Sequence, residues 1–232
     1  MTNDLTPLTG NLARIRERIA DAALASGRIA DAVTLVAVTK YVEPSLARAL
    51  AEAGCLDLGE SRPQELWRKA EALADLPVRW HLIGHLQRNK IARTLPLVSL
   101  VHSADSLRLI EAIDAEAAAL PRPVPVLLEV NISGEAAKHG FTPDELAPLG
   151  PRLAALAHIE VRGLMCMASR DSDQDQARRE FERLRILRDR LRGDWPDRLR
   201  LDELSMGMSG DFEAAIAEGA TLVRIGSSLF ER

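Results

Sequence analysis

Aromatic residues, cysteine and long apolar runs are all scarce in this chain of 232 residues. With three Trp, one Tyr and four Phe, it offers few stacking platforms for nucleic-acid bases, and its net charge of -4 gives no electrostatic basis for binding phosphate backbones. No segment approaches the ~20 consecutive apolar residues of a membrane span. We therefore expect a protein that binds neither nucleic acid nor membranes.

The two cysteines, Cys55 and Cys166, lie in apolar segments rather than in a paired framework. This pattern favours reduced thiols, and the first residues show no basic leader followed by an apolar stretch. We therefore expect a cytoplasmic protein. An apolar content of 47% and a charged content of 28% are typical of a globular chain with a sizeable core.

Lysine is the rarest charged residue: only four of the 30 basic residues are lysine, and 26 are arginine. A lysine kept in such a sequence indicates a position where an amine does what a guanidinium cannot, such as losing its proton and attacking a carbonyl. A general codon bias would produce the same composition. The number of lysines therefore does not by itself identify a functional lysine.

Hydrophobic patterning predicts an alternation of strands and helices. Residues 5–27 have the period of an amphipathic helix, and the β-branched segment VTLVAVTK at 33–40 is typical of a strand buried on both faces. The alternation continues along the chain. Strands are predicted at 33–40, 55–59, 79–84, 98–102, 124–131, 159–166, 202–205 and 221–225. Helices are predicted at 5–27, 43–53, 62–74, 87–94, 105–119, 143–157, 173–192 and 209–218.

Eight strands alternating with helices indicate right-handed βαβ units and a parallel sheet. Their number favours a closed (β/α)8 barrel of the TIM type, with an extra N-terminal helix, over an open doubly wound sheet. No linker rich in Gly, Ser or Pro divides the series, so we expect a single domain spanning residues 1–232. In such barrels the active site lies at the carboxyl ends of the strands, and phosphate is often held after strands seven and eight.

Lys40 ends the first predicted strand, in phase with Val36 and Val38. It would project at the barrel mouth, where partial desolvation makes an amine a nucleophile for an aldehyde. A lysine that extends from the strand end to water is the alternative.

Small and polar residues also follow strands seven and eight. The segments at 204–211 and 223–228 carry hydroxyls and glycines whose backbone amides could converge on an anion. Two ordinary capped turns would have the same composition. Arg224 itself lies in the apolar run LVRIG, so it requires an acceptor, either a carboxylate or a ligand atom.

Two more polar residues end predicted strands, His81 the third and Asn131 the fifth. Both could contact a ligand in the barrel mouth, although a histidine bonded to the backbone is the alternative for His81. His81 and His85 are four residues apart, but Gly84 between them argues against a shared helix face. We therefore predict no metal site.

Six segments stand in a distinctive order over about residues 33–230: LVAVTK, LGES-x-x-QE, WHLIGHLQRNK, VNISGEAAKHG, VRGLMCMA and LSMGMSGDFEAAIAEGATLVRIGSSLF. Together they resemble the pyridoxal-phosphate homeostasis protein family. The resemblance implies a barrel similar to the N-terminal domain of alanine racemase, carrying pyridoxal 5'-phosphate (PLP) as an internal aldimine.

The resemblance also implies roles for individual residues. Lys40 matches the family's Schiff-base lysine, and Arg224 matches the arginine that faces the pyridine nitrogen. A guanidinium cannot accept the pyridine proton, so the ring is a poorer electron sink than it would be beside a carboxylate. The phosphate-binding positions match Ser209, Gly226 and Ser227. The full set expected to contact the cofactor is Lys40, Arg224, Ser209, Gly226, Ser227, Ser205, Asn131, His81 and Met165.

The chain departs from the family pattern at three places. It has LGESR where the family commonly has F-G-E-N-Y, Tyr41 where Thr is frequent, and Phe230-Glu231-Arg232 instead of a longer F-G-x-R-x-Y ending. None of these departures touches Lys40 or the phosphate positions. Cofactor binding is therefore expected to be retained.

Three functions remain open: a carrier that binds PLP and releases it to apo-enzymes, a PLP-dependent amino-acid racemase, and an aldolase-type barrel in which Lys40 forms a substrate Schiff base. Two-base racemisation needs a second acid/base on the opposite face of the cofactor. The eight units leave no second domain to supply it, and the sole tyrosine, Tyr41, would point away from Lys40 in an extended strand. The aldolase alternative leaves Arg224 unexplained. We therefore favour a carrier without robust turnover, and we expect a monomer.

Overall fold

A computed structural model of the chain describes residues 6–135, 138–169 and 172–231. Eight parallel strands close into a barrel in chain order, and β1 pairs with β8. The strands are β1 (Thr34–Val38), β2 (Asp57–Glu60), β3 (Arg79–Leu82), β4 (Val98–Ala104), β5 (Val124–Glu129), β6 (Ile159–Met165), β7 (Glu203–Ser205) and β8 (Leu222–Ile225). The helices are α1 (Thr6–Ala25), α2 (Pro44–Glu52), α3 (Pro63–Ala72), α4 (Ile91–Thr94), α5 (Leu107–Ala117), α6 (Pro143–Leu146), α7 (Gly150–Ala154), α8 (Gln174–Asp194), α9 (Phe212–Ala217) and α10 (Ser227–Phe230).

This architecture confirms the predicted (β/α)8 barrel with an additional N-terminal helix. All eight predicted strands are present, and only their ends differ. Two strands end before their predicted contact residue: β5 ends at Glu129 and not at Asn131, and β1 ends at Val38 and not at Lys40. A turn follows β1, in which the Val42 amide donates to the Thr39 carbonyl at 3.0 Å.

Two predicted helices differ from the observed ones, one by an interruption and one by a later start, and the sequence contains the reason for each. The helix predicted at 143–157 is divided into α6 and α7 by a 3-10 turn at Ala147–Leu149. Pro148 and Pro151 lie at this division, and proline has no amide hydrogen for a helical hydrogen bond. The helix predicted at 209–218 begins only at Phe212, because the Met208 amide donates to the Asp211 carboxylate (2.6 Å) in a preceding turn.

The apolar core has two separate parts, because successive strand residues face opposite sides of the barrel wall. The larger part lies between the strands and the surrounding helices. The smaller part fills the barrel interior with Val36, Leu100, Leu127, Met165 and Leu222. Polar side chains at other interior positions have no access to bulk water and must find partners there.

Helix α1 packs against α9 and α10, the helices that flank β8. It buries Leu12, Ile15 and Ile19, and the Asn11 amide donates to the carbonyls of Leu229 (3.3 Å) and Glu231 (2.8 Å). The extra helix therefore stabilises the end of the chain that forms one wall of the barrel mouth. Among the described residues, no helix is long and apolar enough to cross a membrane.

Candidate functional site

A cavity of about 750 Å³ lies at the carboxyl ends of β1, β2, β3, β6, β7 and β8. Its volume is in the range of small-molecule binding sites. Most of its wall is apolar, formed by Val38, Val42, Ile83, Met167, Met208 and Phe230. Its charged and hydroxyl-bearing side chains are those of Lys40, Tyr41, Ser61, Ser209, Arg224 and Ser227. The cavity therefore combines an apolar body with a few polar groups, as binding sites for small molecules commonly do.

Lys40 lines this cavity from the turn that follows β1, and its side chain is exposed. The expectation that Tyr41 points away from Lys40 is wrong. Tyr41 also lines the cavity, and the Lys40 Nζ lies 5.0 Å from the centre of the Tyr41 ring. The reason is the turn: residues 39–42 do not continue the extended strand, so neighbouring side chains do not alternate in direction.

The loops after β7 and β8 form one wall of the cavity with Ser209, Gly210, Gly226 and Ser227. The two loops are joined by a hydrogen bond from the Gly226 amide to Ser209 Oγ at 3.3 Å. Backbone amides and hydroxyls of adjacent short loops are the donors that a phosphate group requires. This wall is where the sequence predicted an anion site.

Two glycines allow the backbone to approach closely around the cavity. Gly84 lines the cavity, and a Cβ atom at this position would lie 2.3 Å from the Ser61 carbonyl oxygen. Gly207 has a φ of 92°, and its Cβ would lie 2.6 Å from the Cβ of Ala215. Its carbonyl accepts the Arg224 amide at 3.0 Å, so it fixes the end of β8 against β7. Any larger residue would displace these walls.

Arg224 is 5% exposed and meets only neutral acceptors. Its Nη1 donates to Ser205 Oγ at 2.6 Å, and its Nη2 donates to the Cys166 carbonyl at 2.9 Å. No carboxylate forms an ion pair with it among the residues that the structure describes. Burial lowers the pKa of Arg224, and burial raises the pKa of the Cys166 thiol to about 12, so this thiol supplies no counter-charge.

Ser205 begins a chain of hydrogen bonds through the barrel interior, which we call the interior relay. Ser205 Oγ lies 2.8 Å from His102 Nδ1, His102 Nε2 lies 2.8 Å from His81 Nδ1, and His81 Nε2 lies 3.0 Å from Asp57 Oδ1. Asp57 is the first residue of β2 and lies at the opposite end of the barrel from the cavity. The interior relay therefore crosses the barrel from Arg224 to Asp57.

The guanidinium at one end and the carboxylate at the other set the direction of the hydrogen bonds when each histidine ring carries one proton. Arg224 can only donate, so the hydroxyl proton of Ser205 is free to point at His102 Nδ1. His102 then carries its proton on Nε2 and donates to His81 Nδ1, and His81 donates from Nε2 to the Asp57 carboxylate. Burial lowers the pKa of His102 well below its usual value, which keeps this ring neutral.

The Asp57 carboxylate is held ionised at the far end. Burial alone would raise its pKa, but hydrogen bonds from His81 and Arg79 outweigh burial and hold the pKa at about 2. The side chain of Asp57 is 12% exposed, whereas that of Arg79 is 55% exposed. The interior relay thus joins a buried guanidinium to a carboxylate through Ser205, His102 and His81.

A second buried cation lies between the barrel wall and helix α3, beneath the turn of Lys40. Lys69 of α3 is fully buried, and its Nζ donates to Glu60 Oε1 at 2.5 Å and to the Thr39 carbonyl at 2.6 Å. The Thr39 hydroxyl also donates to Glu60 Oε1, at 2.7 Å. The buried Glu60 Oε2 has no hydrogen-bond partner among the described residues. This group, the Lys69–Glu60 pair, fixes the backbone immediately before Lys40.

Five of the nine predicted contact residues line the cavity: Lys40, Ser209, Arg224, Gly226 and Ser227. The other four lie outside its lining. Ser205 and His81 belong to the interior relay, and Met165 packs in the barrel interior. Asn131 shapes the loop after β5, where its side chain accepts the Gly134 amide (3.0 Å) and donates to the Glu135 carbonyl (2.8 Å).

Several functional side chains were missed by sequence reasoning. His102 follows Leu100 by two residues in β4 and therefore shares its face of the strand. Its interior position could have been inferred from this period. Lys69 follows Leu66 by three residues and precedes Leu73 by four, so it stands in the apolar stripe of α3. Ile83 and Met208 line the cavity from loops, and no periodicity predicts their position.

The comparisons with known proteins agree with this geometry. The family model described as the N-terminal domain of alanine racemase matches residues 4–231. The pyridoxal phosphate homeostasis protein of Pseudomonas aeruginosa is 40% identical over 226 residues, which cover 97% of this chain and 96% of that protein. The protein of the same name from Deinococcus radiodurans is 45% identical over 222 residues, 94% of this chain and 97% of the relative.

Comparison with solved structures also finds proteins with this barrel. PipY of Synechococcus elongatus, solved with PLP bound, has a TM-score of 0.86 and 33% identity, and the match covers 97% of this chain and all (100%) of PipY. An alanine racemase of Clostridium difficile has a TM-score of 0.77 at 16% identity, with 98% of this chain and 57% of that chain covered, which shows a shared fold.

The closed barrel and its lysine-bearing cavity define a barrel of the alanine racemase N-terminal type. Among such barrels, the chain belongs to the family of pyridoxal phosphate homeostasis proteins.

Proposed function

We propose that this protein binds PLP in the cavity at the barrel mouth and takes part in PLP homeostasis inside the cell, without robust catalytic turnover. One observation carries the proposal. The amine of Lys40, the donors after β7 and β8, and Arg224 line a single cavity of about 750 Å³. The family relationship and the PLP-bound structure of PipY support the same ligand.

The residues present fit the chemical groups of this cofactor. The hydroxyls and backbone amides of Ser209, Gly226 and Ser227 suit the phosphate, and the apolar side chains of Val38 and Ile83 suit the faces of an aromatic ring. The exposed Lys40 amine is accessible to the aldehyde. When bound, the cofactor supplies an aldehyde that forms a reversible covalent bond with a primary amine.

The environment of Arg224 favours holding the cofactor over carbanion chemistry. No carboxylate among the described residues forms an ion pair with its guanidinium, which donates to the Ser205 hydroxyl and the Cys166 carbonyl. A fixed cation that offers only N–H donors can hydrogen-bond an unprotonated ring nitrogen but cannot protonate it. A carboxylate at this place would do the opposite, because it stabilises a protonated ring.

Amino-acid racemisation is the second candidate, because Tyr41 lines the cavity close to Lys40. Two-base racemisation needs its acid and base on opposite faces of the cofactor. Lys40 and Tyr41 come from the same turn, so they approach from the same side. This placement favours the carrier role.

Partners and assembly are part of the proposal. We propose that apo-enzymes dependent on PLP receive the cofactor from this protein, that it acts as a monomer, and that it works in the reducing cytoplasm. Both cysteines are free and buried, which agrees with a reducing environment.

Absorption spectroscopy tests the binding proposal. Addition of PLP to the wild-type protein should give a visible band from the covalent bond, and Lys40→Ala should abolish that band. Lys90→Ala, at a lysine that does not line the cavity, is the matched control and should retain it. A Lys40→Ala variant with an unchanged band would refute the assignment of Lys40.

Two incubations test the carrier role. The loaded protein should restore activity to an apo-form of a PLP-dependent enzyme. The same protein incubated with L-alanine should produce no sustained formation of D-alanine. Continuous turnover that is lost in Tyr41→Phe would contradict the carrier role and favour the racemase.

A further inference from the structure

A second group of polar side chains lies at the barrel mouth, on the side of β3, β4 and β5. His85 follows β3, Asp105 follows β4, and His139 lies in the segment between β5 and α6. One potential metal-ligand atom from each side chain lies within 4.8 Å of the others. None of the three residues lines the cavity of Lys40.

The backbone brings these residues together from three separate loops. The loop after β5 folds back through hydrogen bonds from the Phe141 amide to the Glu129 carbonyl (2.8 Å) and from the Asn131 amide to the Phe141 carbonyl (2.9 Å). His139 therefore returns to the strand ends. Its ring stacks on that of His85, with centroids 5.2 Å apart and planes inclined by 21°.

The spacing suits a transition ion after a small side-chain adjustment. Two ligands of one tetrahedral Zn²⁺, each about 2.0–2.1 Å from the ion, lie about 3.3 Å apart. His85 Nδ1 and Asp105 Oδ2 are already 3.0 Å apart. His85 and His139 are both exposed, so rotation about their side-chain bonds can close the remaining gap.

The carboxylate of Asp105 is already oriented toward His85. The Ser106 hydroxyl donates to Asp105 Oδ1 at 2.9 Å, which leaves Oδ2 directed at His85. Glu129, the last residue of β5, is only 7% exposed. Its charge interacts with those of Asp105, Arg224 and His85.

We propose that His85, Asp105 and His139 bind a divalent transition ion of the Zn²⁺ class. Two imidazoles with one carboxylate favour Zn²⁺ or Co²⁺ over Mg²⁺ and Ca²⁺, which prefer oxygen ligands alone. The expectation of no metal site considered His81 with His85. The fold instead places His81 in the interior relay and gives His85 different neighbours.

An ion at this site would join the loops after β3, β4 and β5. Binding to the folded state alone raises stability in proportion to the logarithm of the ion concentration. The site is distinct from the proposed PLP cavity, and its ligands can be tested in the PLP-free protein. Failure of this proposal would leave the spectroscopic test of Lys40 unaffected.

Titration with Co²⁺ tests the site in PLP-free, untagged protein. The wild type should bind one ion per chain and develop visible absorption bands of coordinated Co²⁺. His85→Gln and His139→Gln should each weaken binding at least tenfold, because each removes a ligand. Zn²⁺ should displace Co²⁺ and raise the Tm of the wild type more than that of either variant.

His158→Gln provides the matched control. His158 is also half-exposed and also lies near an aspartate, with its Nδ1 3.6 Å from Asp114 Oδ2, but it is remote from the cluster. This variant should bind Co²⁺ like the wild type. Asp105→Asn serves as a third ligand variant if either histidine variant unfolds. Absence of saturable Co²⁺ binding, or equal binding by the wild type and the ligand variants, would overturn the proposal.

Discussion

The protein buries a cation on each side of its cavity, and the two are compensated differently. On the β1–β2 side, Lys69 contacts Glu60 directly, and both side chains are fully buried. On the β7–β8 side, the Arg224 guanidinium donates to Ser205 and to the Cys166 carbonyl, and no carboxylate among the described residues forms an ion pair with it, although Asp211 and Glu129 interact with it electrostatically. Direct contact neutralises a charge locally, whereas a cation without an ion pair keeps its charge available to a ligand.

The difference fits the positions of the two cations. Lys69 does not line the cavity, and its amine holds the Thr39 carbonyl immediately before Lys40. Arg224 does line the cavity, and any carboxylate in direct contact would compete with a ligand for its N–H groups. The ion pair of Lys69 therefore fixes the backbone before Lys40, whereas the N–H groups of Arg224 are suited to the recognition of a ligand. The following three changes test this contrast, from the largest expected effect to the smallest.

Lys69→Met should lower the free energy of unfolding by about 3–5 kcal/mol, because it leaves the Glu60 carboxylate buried without its partner. Urea unfolding of the PLP-free protein measures this loss. The double variant Lys69→Met/Glu60→Leu should recover most of it, since no buried charge remains.

Lys40→Met is the control for the lysine variants, because Lys40 is exposed and should change stability by less than about 0.5 kcal/mol. Equal losses of unfolding free energy in Lys69→Met and in Lys69→Met/Glu60→Leu would show that the Lys69–Glu60 pair does not act as a unit.

Ser205→Ala should lower the free energy of unfolding by about 1–3 kcal/mol, because it leaves His102 Nδ1 without a donor and removes an acceptor from Arg224. Ser103→Ala removes one hydroxyl, which donates to the Gly84 carbonyl at 2.7 Å, and should cost less. Nitrogen NMR of the wild type should show a neutral His102 and a proton on Nε2 of both His81 and His102. A proton on Nδ1 of either ring would contradict the direction of the interior relay.

Asp57→Asn should have the smallest effect, roughly 1 kcal/mol at neutral pH after allowance for solvent screening. The pKa of Asp57 is held at about 2, below its usual 3.8. Its charge therefore stabilises the folded state above about pH 4, and this contribution disappears as the pH falls toward 2.

Unfolding of the Asp57→Asn variant and the wild type should accordingly converge at low pH. The exposed Asp197→Asn is the control and should show no such convergence. A difference between Asp57→Asn and the wild type that grows on acidification would show that the carboxylate does not anchor the interior relay.

The barrel could be predicted because its determinants are local. Val36 and its neighbours show a buried strand by composition alone, and each later strand repeats that signal. Lys40, Ser209 and Ser227 could be placed at the mouth because they directly follow strands, and a parallel barrel brings all strand ends of one direction together.

Contacts that depend on side-chain direction could not be predicted. The position of Tyr41 depends on a turn that begins two residues earlier, and no residue in VTKYV is a strong turn former. His81 was singled out as a ligand contact, but its partner His102 comes from the next strand along the barrel. Such contacts depend on which residues of neighbouring strands lie side by side. A single sequence does not reveal this strand register.

The closure of β1 against β8 has a consequence for synthesis and folding. Val36 pairs with Arg224, so the strand before Lys40 and the strand before Gly226 come from opposite ends of the chain. Ribosomes release the N-terminal part first, and contacts between distant residues form late. A nascent chain therefore displays the amine of Lys40 long before the β8 loop exists. With the roles proposed for Lys40 and the β8 loop, only a finished barrel would hold the aldehyde and the phosphate of PLP together, so unfinished chains would not withdraw cofactor from the cell.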